Sequence, residues 1–429
     1  MDRSDGARPR ARRAMAIALA WALVGAGACG DSTDDEGGEA DEPAAGNEEP
    51  TGDDGDGGVL GPVDRAEGEP VRVGLVSDGS SASVDQSIEL DVAAATVAYV
   101  NEHRGGMGGR PVELTTCETK LDPALATDCA NQMVEAGVVA VLMGSSGVVE
   151  NVWQPLHDAG VPTVFFAASA ETMLTDDRST FVLSNPDGAT QLPLGVAEDE
   201  GADEVTAVVI DVPPAIEGLE AAVPTFADAG IELELVRVPL GTADMTPQMS
   251  EVVDDDPGVV HVLGNDAFCI SAFQALQTVG YDGPLTAVTQ CITDATRTGL
   301  PAGSLEGIVV GSPVPVGVDE GTELYRAVAD TFGDGIDTSR ITGAGAFVVV
   351  AGFVAGLEGI EGDVTSESVV AALRSMPETE LPGAGGLRFR CDGESAAGAA
   401  VCTPGSLVTT LDAEGRPSSY EAVEPAAGG

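Results

Sequence analysis

One lysine, Lys120, stands in a chain of 429 residues. Lysine and arginine together number 19 against 71 aspartates and glutamates, a net charge of −52. Nucleic-acid phosphates and anionic lipid headgroups both need a basic patch to bind, so the charge excludes both as partners. Histidine is scarce too: His103, His157 and His261 stand apart, in no metal-like spacing. There is no Cys-x-x-Cys, so a zinc site lacks its ligand pattern, and no metal or cofactor is expected. No Gly-x-Gly-x-x-Gly follows the first β-branched run, and no Gly-rich loop carries a Lys-Ser or Lys-Thr pair, which excludes dinucleotide and nucleoside-triphosphate sites of those types. A Gly-x-Ser-x-Gly elbow is also missing.

Residues 14–27 form an apolar run too short to span a bilayer comfortably, and no other segment is long and apolar enough to be a transmembrane helix. That run follows Arg8, Arg10, Arg12 and Arg13, so residues 1–28 read as an export signal. It ends Ala26-Gly27-Ala28-Cys29, where small residues before a cysteine resemble a bacterial lipoprotein cleavage site. Cys29 is then the lipidated first residue of the mature chain, and the membrane is touched only through that lipid; cleavage after Ala28 with a free Cys29 is the alternative. Residues 31–70 carry about fifteen acidic groups against Arg65 alone, so 29–70 is expected to be a disordered, self-repelling stalk.

The remaining six cysteines fall into sequence-local couples: Cys117 with Cys129, Cys269 with Cys291, Cys391 with Cys402. In an exported chain such couples read as disulfides. About 350 residues follow the stalk, enough for two lobes with separate cores.

Strands are expected over 71–76, 111–114, 138–143 and 162–166, separated by helices over 84–101, 123–135 and 148–159, with a further helix from near Glu171. A second series has strands over 205–210, 231–238, 259–263, 285–288 and 307–310, and helices over 216–229 and 271–279. Helices over 341–360 and 366–375 and a pair of strands over 387–390 and 407–411 close the chain. Alternation of strand and helix implies α/β architecture, two doubly wound parallel sheets in tandem. Ligands of such sheets sit at the carboxyl ends of the strands. There the first series places Ser77 to Ser81, with Ser77 and Ser80 as candidates, then Ser145 and Ser146, then Ala168 and Ser169. Three hydroxyl-bearing turns, each ahead of a helix N-terminus, would make a seat for a carboxylate or other anion. Simple N-capping explains any one of them alone.

The segment Asn101-Glu-His-Arg-Gly-Gly-Met-Gly-Gly-Arg-Pro-Val-Glu-Leu114 resembles the Asn-x-x-Gly-Gly-x-x-Gly-Arg-x-x-x-Leu signature of the branched-chain amino-acid-binding family, the type I periplasmic binding proteins. Asp122-Pro123, Ala130-Asn131, Ala159-Gly160-Val161-Pro162, the 383–389 turn and Asp392-Gly393 continue the likeness. The resemblance implies two lobes joined by a three-strand hinge, with crossings near Asn185, Ser312 and Pro382. Lobe 1 would span 71–186, lobe 2 187–311, with 312–382 returning to lobe 1 and 383–422 to lobe 2. It implies that Ser145 or Ser146, and Ala168 with Ser169, hold the ligand from lobe 1. From lobe 2 it points to Asp211, to Gln290 or Thr289 where the family has an acidic clamp, and to Asn265 and Asp266 beside the Cys269–Cys291 couple. Trp153 faces the cleft or packs between helix and sheet. The implied function is capture of a small polar solute (an amino acid, amide, urea-like compound or carboxylate) by a monomer that delivers it to an ABC transporter permease. A sensory receptor of the same fold is one alternative, and a hydrolase using Ser145 or Ser146 another.

Overall fold

The computed structural model describes residues 58–81, 85–255, 257–318 and 320–424. The export signal and Cys29 lie outside them. The first sheet is built from β1 (Val71–Ser77), β2 (Val112–Glu118), β3 (Val141–Met143), β4 (Thr163–Phe165) and β5 (Thr180–Val182), all parallel, in the order β2-β1-β3-β4-β5. Its helices are α1 (Ile88–His103), α2 (Pro123–Ala136), α3 (Val149–Asp158) and the short α4 (Glu171–Leu174). The second sheet begins after α5 (Gly188–Glu200). It contains β6 (Glu204–Ile210), β7 (Glu232–Val238), β8 (Val259–Leu263), β9 (Leu285–Val288) and β10 (Val309–Ser312), parallel to one another. Between them run α6 (Pro213–Asp228), α7 (Thr246–Asp254), α8 (Asp266–Val279) and α9 (Asp294–Gly299). The chain then supplies α10 (Glu323–Phe332), α11 (Ile341–Gly356) and α12 (Ser366–Ser375) to the first lobe, with the hairpin β11 (Thr379–Glu380) and β12 (Arg388–Phe389). Two antiparallel strands, β13 (Ser406–Thr410) and β14 (Glu421–Val423), finish the second sheet beside β10.

Local chemistry sets these boundaries. Asp122 caps α2, its carboxylate accepting from the amides of Ala124 and Leu125 at 2.8 and 3.1 Å; Pro123 fits the first turn, and Gly137 ends the helix at φ 65°. Thr365 and Ser368 cap α12 reciprocally. Apolar nearly all round, α11 is accordingly buried at the centre of the first lobe against α1. Its glycines permit that contact: a Cβ at Gly345 would come within 2.9 Å of the Phe166 ring.

Two expected boundaries move. The stretch from Gly58 to Pro70, expected to be disordered, lies along the first lobe. Its amides at Asp64, Ala66 and Glu67 donate to the carbonyls of Glu102, Asn101 and Gly109 at 2.9 Å each, and Leu60 packs on the core. Composition hid this, because backbone groups make the contact. The crossing expected near Pro382 lies further on. Phe389, Cys391 and Cys402 sit in the first lobe's core, and Val401 pairs with Val182 beside β5, so the chain changes lobe between Cys402 and Ser406. The other passages lie between β5 and α5 and just after β10.

The cysteines form the disulfides Cys117–Cys129, Cys269–Cys291 and Cys391–Cys402, each within one lobe. The last closes the loop ahead of the third crossing, where the Arg374 guanidinium also donates to the carbonyls of Cys391 and Ala399 at 3.1 and 2.8 Å. Replacing Cys391 and Cys402 together by Ser is expected to lower the unfolding free energy by about 3 kcal/mol in urea titrations, the loop-closure contribution for such a span. A loss below about 1 kcal/mol would show that Arg374 alone suffices to hold the loop.

Candidate ligand site between the lobes

A cavity of about 350 Å³ opens where the carboxyl ends of both sheets face each other, bounded by the passages between the lobes. The first lobe contributes the turns after β3 (Ser145, Ser146), β4 (Ala167, Ala168, Ser169) and β5 (Ser184, Asn185). The second contributes Val288, Thr289 and Gln290 at the end of β9, Gly311 and Ser312 on β10, and Gly188, Ala189 and Leu192 on the first turns of α5. Ser406, where β13 begins, lies beside Asn185. Most of this wall is apolar, and no lining residue carries a formal charge.

Several of its polar groups already have partners. The Thr289 hydroxyl donates to the Gly311 carbonyl at 2.6 Å and that of Ser312 to the Val314 carbonyl at 2.7 Å. Asn185 ties the first passage to the third, its Nδ2 donating to the Pro404 carbonyl at 2.7 Å, to Gln191 Oε1 at 2.8 Å and to Ser406 Oγ at 3.2 Å. The side chains of Ser145, Ser169, Ser184 and Gln290 make no such bond among the described residues and remain available to a solute. Three belong to the first lobe and Gln290 to the second.

The sequence candidates therefore divide. Ser145, Ser146, Ala168, Ser169 and Gln290 line the cavity. Ser77, Ser80, Asp211, Asn265 and Asp266 do not. The buried Ser77 hydroxyl donates to Glu89 Oε2 at 2.6 Å, and Ser80 is exposed and bridged to Asp85. Asp211 is exposed after β6. Asn265 caps α8, accepting from the Phe268 amide at 3.0 Å, and Asp266 occupies the first turn of that helix. The Cys269–Cys291 bridge thus secures the turn carrying Thr289 and Gln290, not a strand presenting Asn265 and Asp266. Trp153 packs in the core, its indole N–H donating to Thr180 Oγ1 at 2.8 Å. Among the described residues no histidine lines the cavity beside Ser145 and Ser146.

Two acidic side chains that periodicity did not single out support the floor of the site. Asp78, 1% exposed, accepts from the hydroxyls of Thr119 at 2.5 Å and Ser146 at 2.7 Å through Oδ1, and from the Gly147 amide at 3.2 Å through Oδ2. Ser146 in turn accepts from the Val148 amide at 3.0 Å, so one carboxylate organises the whole turn leading into α3. Glu89, in the first turn of α1, is 2% exposed and lies under Gly144, where any Cβ would collide with Oε1. Burial pushes the Glu89 carboxyl up to about 7; bonds from the Ser77 hydroxyl and the Ser145 backbone oppose the rise, the Asp78 charge adds to it, and the Arg340 charge opposes it.

The raised value fixes a direction for stability. The folded state holds the Glu89 proton up to pH about 7 while the unfolded chain releases it near 4.5. Its contribution is therefore fully present below 4.5 and is lost as pH rises through about 7. Glu89→Gln is expected to match the wild type near pH 4 and to exceed it at pH 8 by on the order of 2–3 kcal/mol in denaturant melts. A difference independent of pH would contradict a protonated Glu89.

Residues 70–403 match the family model described as periplasmic binding protein. Among solved structures, an ABC transporter substrate-binding protein from Sphaerobacter thermophilus superposes with a TM-score of 0.65 at 18% identity, covering 83% of this chain and 98% of that one. A branched-chain amino acid transporter substrate-binding protein from Streptococcus pneumoniae, in complex with isoleucine, gives 0.61 at 18% identity over 83% and 100% of the two chains. A solute-binding protein of an ABC transporter from R. palustris, in complex with 4-hydroxybenzoate, gives 0.63 at 19% identity over 83% and 98%. No curated protein matches the sequence. Two α/β lobes, three passages and a cleft at the strand ends agree with the family match over most of the chain: this protein belongs to the periplasmic binding proteins.

Proposed function

We propose that this protein captures a small organic solute between its lobes, outside the cytoplasm, and delivers it to an ABC importer. The observation that carries this reading is the cavity itself, with free hydroxyls on one lobe, a free carboxamide on the other and an apolar wall between. A solute that bonds to both lobes binds the closed arrangement better than the open one and shifts the equilibrium by that difference. The neighbours' ligands, isoleucine and 4-hydroxybenzoate, indicate the size of molecule involved. Family membership supports the extracytoplasmic setting and the transporter partner. Lipid attachment at Cys29 and action as a monomer complete the proposal, the first resting on the apolar leader and the small residues before Cys29.

A solute present at about a hundred times its Kd should stabilise the full chain by about 2.7 kcal/mol, visible as a rise in melting temperature. The panel would contain aliphatic amino acids, aromatic acids, amides and urea-like compounds. For whichever solute binds, Ser169→Ala and Gln290→Ala should each weaken it by about tenfold, the loss of one hydrogen bond from opposite lobes. Sensitivity to only one of them would refute bridging, and silence across the panel would count against solute capture. Cys29→Ser should abolish incorporation of labelled fatty acid; persistent labelling would place the lipid elsewhere.

A further inference from the structure

The cleft was read from the sequence as a seat for an anion, because small hydroxyl residues stand ahead of helix N-termini. The structure shows that the first lobe fills this seat itself. Asp78 is buried beneath the turn after β3 and accepts three hydrogen bonds, two of them from the turn, at Ser146 and Gly147. Two amides ahead of α3 are consequently engaged, that of Gly147 by Asp78 and that of Val148 by Ser146 Oγ. An N-terminus that would attract a ligand carboxylate has a resident carboxylate instead.

Among the described residues Asp78 has no ion pair and no lysine or arginine lines the cavity; Arg340 acts on the neighbouring Glu89, and the chain as a whole carries −52. The adjoining Glu89 responds to the same environment, its carboxyl held on the protonated side by burial and by Asp78. A solute carboxylate brought to Ser145 and Ser146 would meet like charge in a desolvated place. A solute ammonium fares no better, since no carboxylate lines the wall to receive it. What the wall offers is neutral: the hydroxyls of Ser145, Ser169 and Ser184, the Gln290 carboxamide and apolar surface.

We propose that Asp78 is a specificity-determining residue: by occupying the anion seat of α3 from inside the protein, it directs the cleft towards uncharged solutes with a polar head and an apolar body, such as a carboxamide. The inference rests on the solute-capture reading above and deepens it.

The test uses matched pairs that differ only in the head group: isovaleramide against isovalerate, and 4-hydroxybenzamide against 4-hydroxybenzoate. Binding of each to the full chain is measured by calorimetry at pH 6, where Glu89 keeps its proton and the acids are ionised. The amide is expected to bind at least about tenfold more tightly than its acid, the consequence of bringing like charges together in a desolvated site. Asp78→Asn should narrow that ratio to about threefold or less, mainly by improving the acid, because the amide side chain keeps acceptor capacity without the charge. Thr119→Val removes the other hydroxyl bond to Asp78, away from the cavity wall, but retains the Asp78 charge and should leave the ratio in place, which separates charge from loop damage if Asp78→Asn folds poorly. An acid that outbinds its amide on the wild type would overturn the inference while leaving solute capture intact. A ratio unchanged in a folded Asp78→Asn, or abolished in Thr119→Val, would remove Asp78 from the account. Failure of every pair to bind would tell against capture of solutes of this size, and the inference would fall with it.

Discussion

The carboxamide of Asn185 holds the two halves of this molecule in register. It joins the first passage between the lobes to the third, bonding to the Pro404 carbonyl and Ser406 from one side of its amide and receiving the Asp187 amide at 2.9 Å on the other. Each lobe has its own sheet and apolar core, and β13 of the second sheet reaches the first core through Leu407, beside the third passage. That relation is set at the passages, and the cavity lies against them. The turns carrying Ser145 and Ser169 on one side and Gln290 on the other are rigid within their own lobes. Their separation depends on a few hinge residues, which is the arrangement that hinge closure around a ligand requires.

Charge is distributed to suit. The ion pairs of Arg65 with Glu102, Arg237 with Glu220 and Arg388 with Glu378 are solvent-exposed and contribute little each. With 71 acidic residues and 19 basic ones, most carboxylates have no cation to pair with. Stability must come from the apolar cores, the disulfides and the backbone ladders. Acidic groups enter the interior of the first lobe where the binding turn needs support: Asp78 is held by hydroxyls and a backbone amide, and Glu89 receives the Ser77 hydroxyl at Oε2 while its Oε1 has no partner among the described residues.

The strands of both sheets were largely legible, because buried parallel strands read as β-branched runs, as at 71–77 and 259–263. Helices α5, α7, α9 and α10 were not anticipated; α5 carries Pro193 in its interior, α7 begins Thr246-Pro247 and is short, α9 has only six residues, and α10 follows a Gly-rich approach. The site was half legible. Strand ends pointed to Ser145 and Ser169 and the family resemblance to Gln290, yet strand ends pointed equally to Ser77 and the resemblance to Asn265. A serine after a strand looks the same whether it faces the cleft or a buried partner, and the partner of Ser77 is Glu89, twelve residues away on α1. In sequence, Glu89 is an ordinary acidic residue in a helix's first turn. Ser184, Ser406 and Asp78 stayed hidden for a similar reason: their roles depend on which turns meet in space.

The nesting of the two lobes governs the order in which this chain can assemble. Lobe 2 is inserted between residues that belong to lobe 1, and lobe 1 regains the chain only through α10, α11 and α12. The central helix of the first lobe, α11, is synthesised after nearly all of the second. Strand β13, which covers the edge of β10, comes later still. As the polypeptide emerges from its N-terminus, β1 to β5 must therefore wait with one face uncovered, and β10 with an open edge, until almost the last residues arrive. Contacts this distant in sequence slow folding and prolong exposure of apolar surface. A chain ending early at residue 400 would lack β13 and leave β10 as a bare template for another strand.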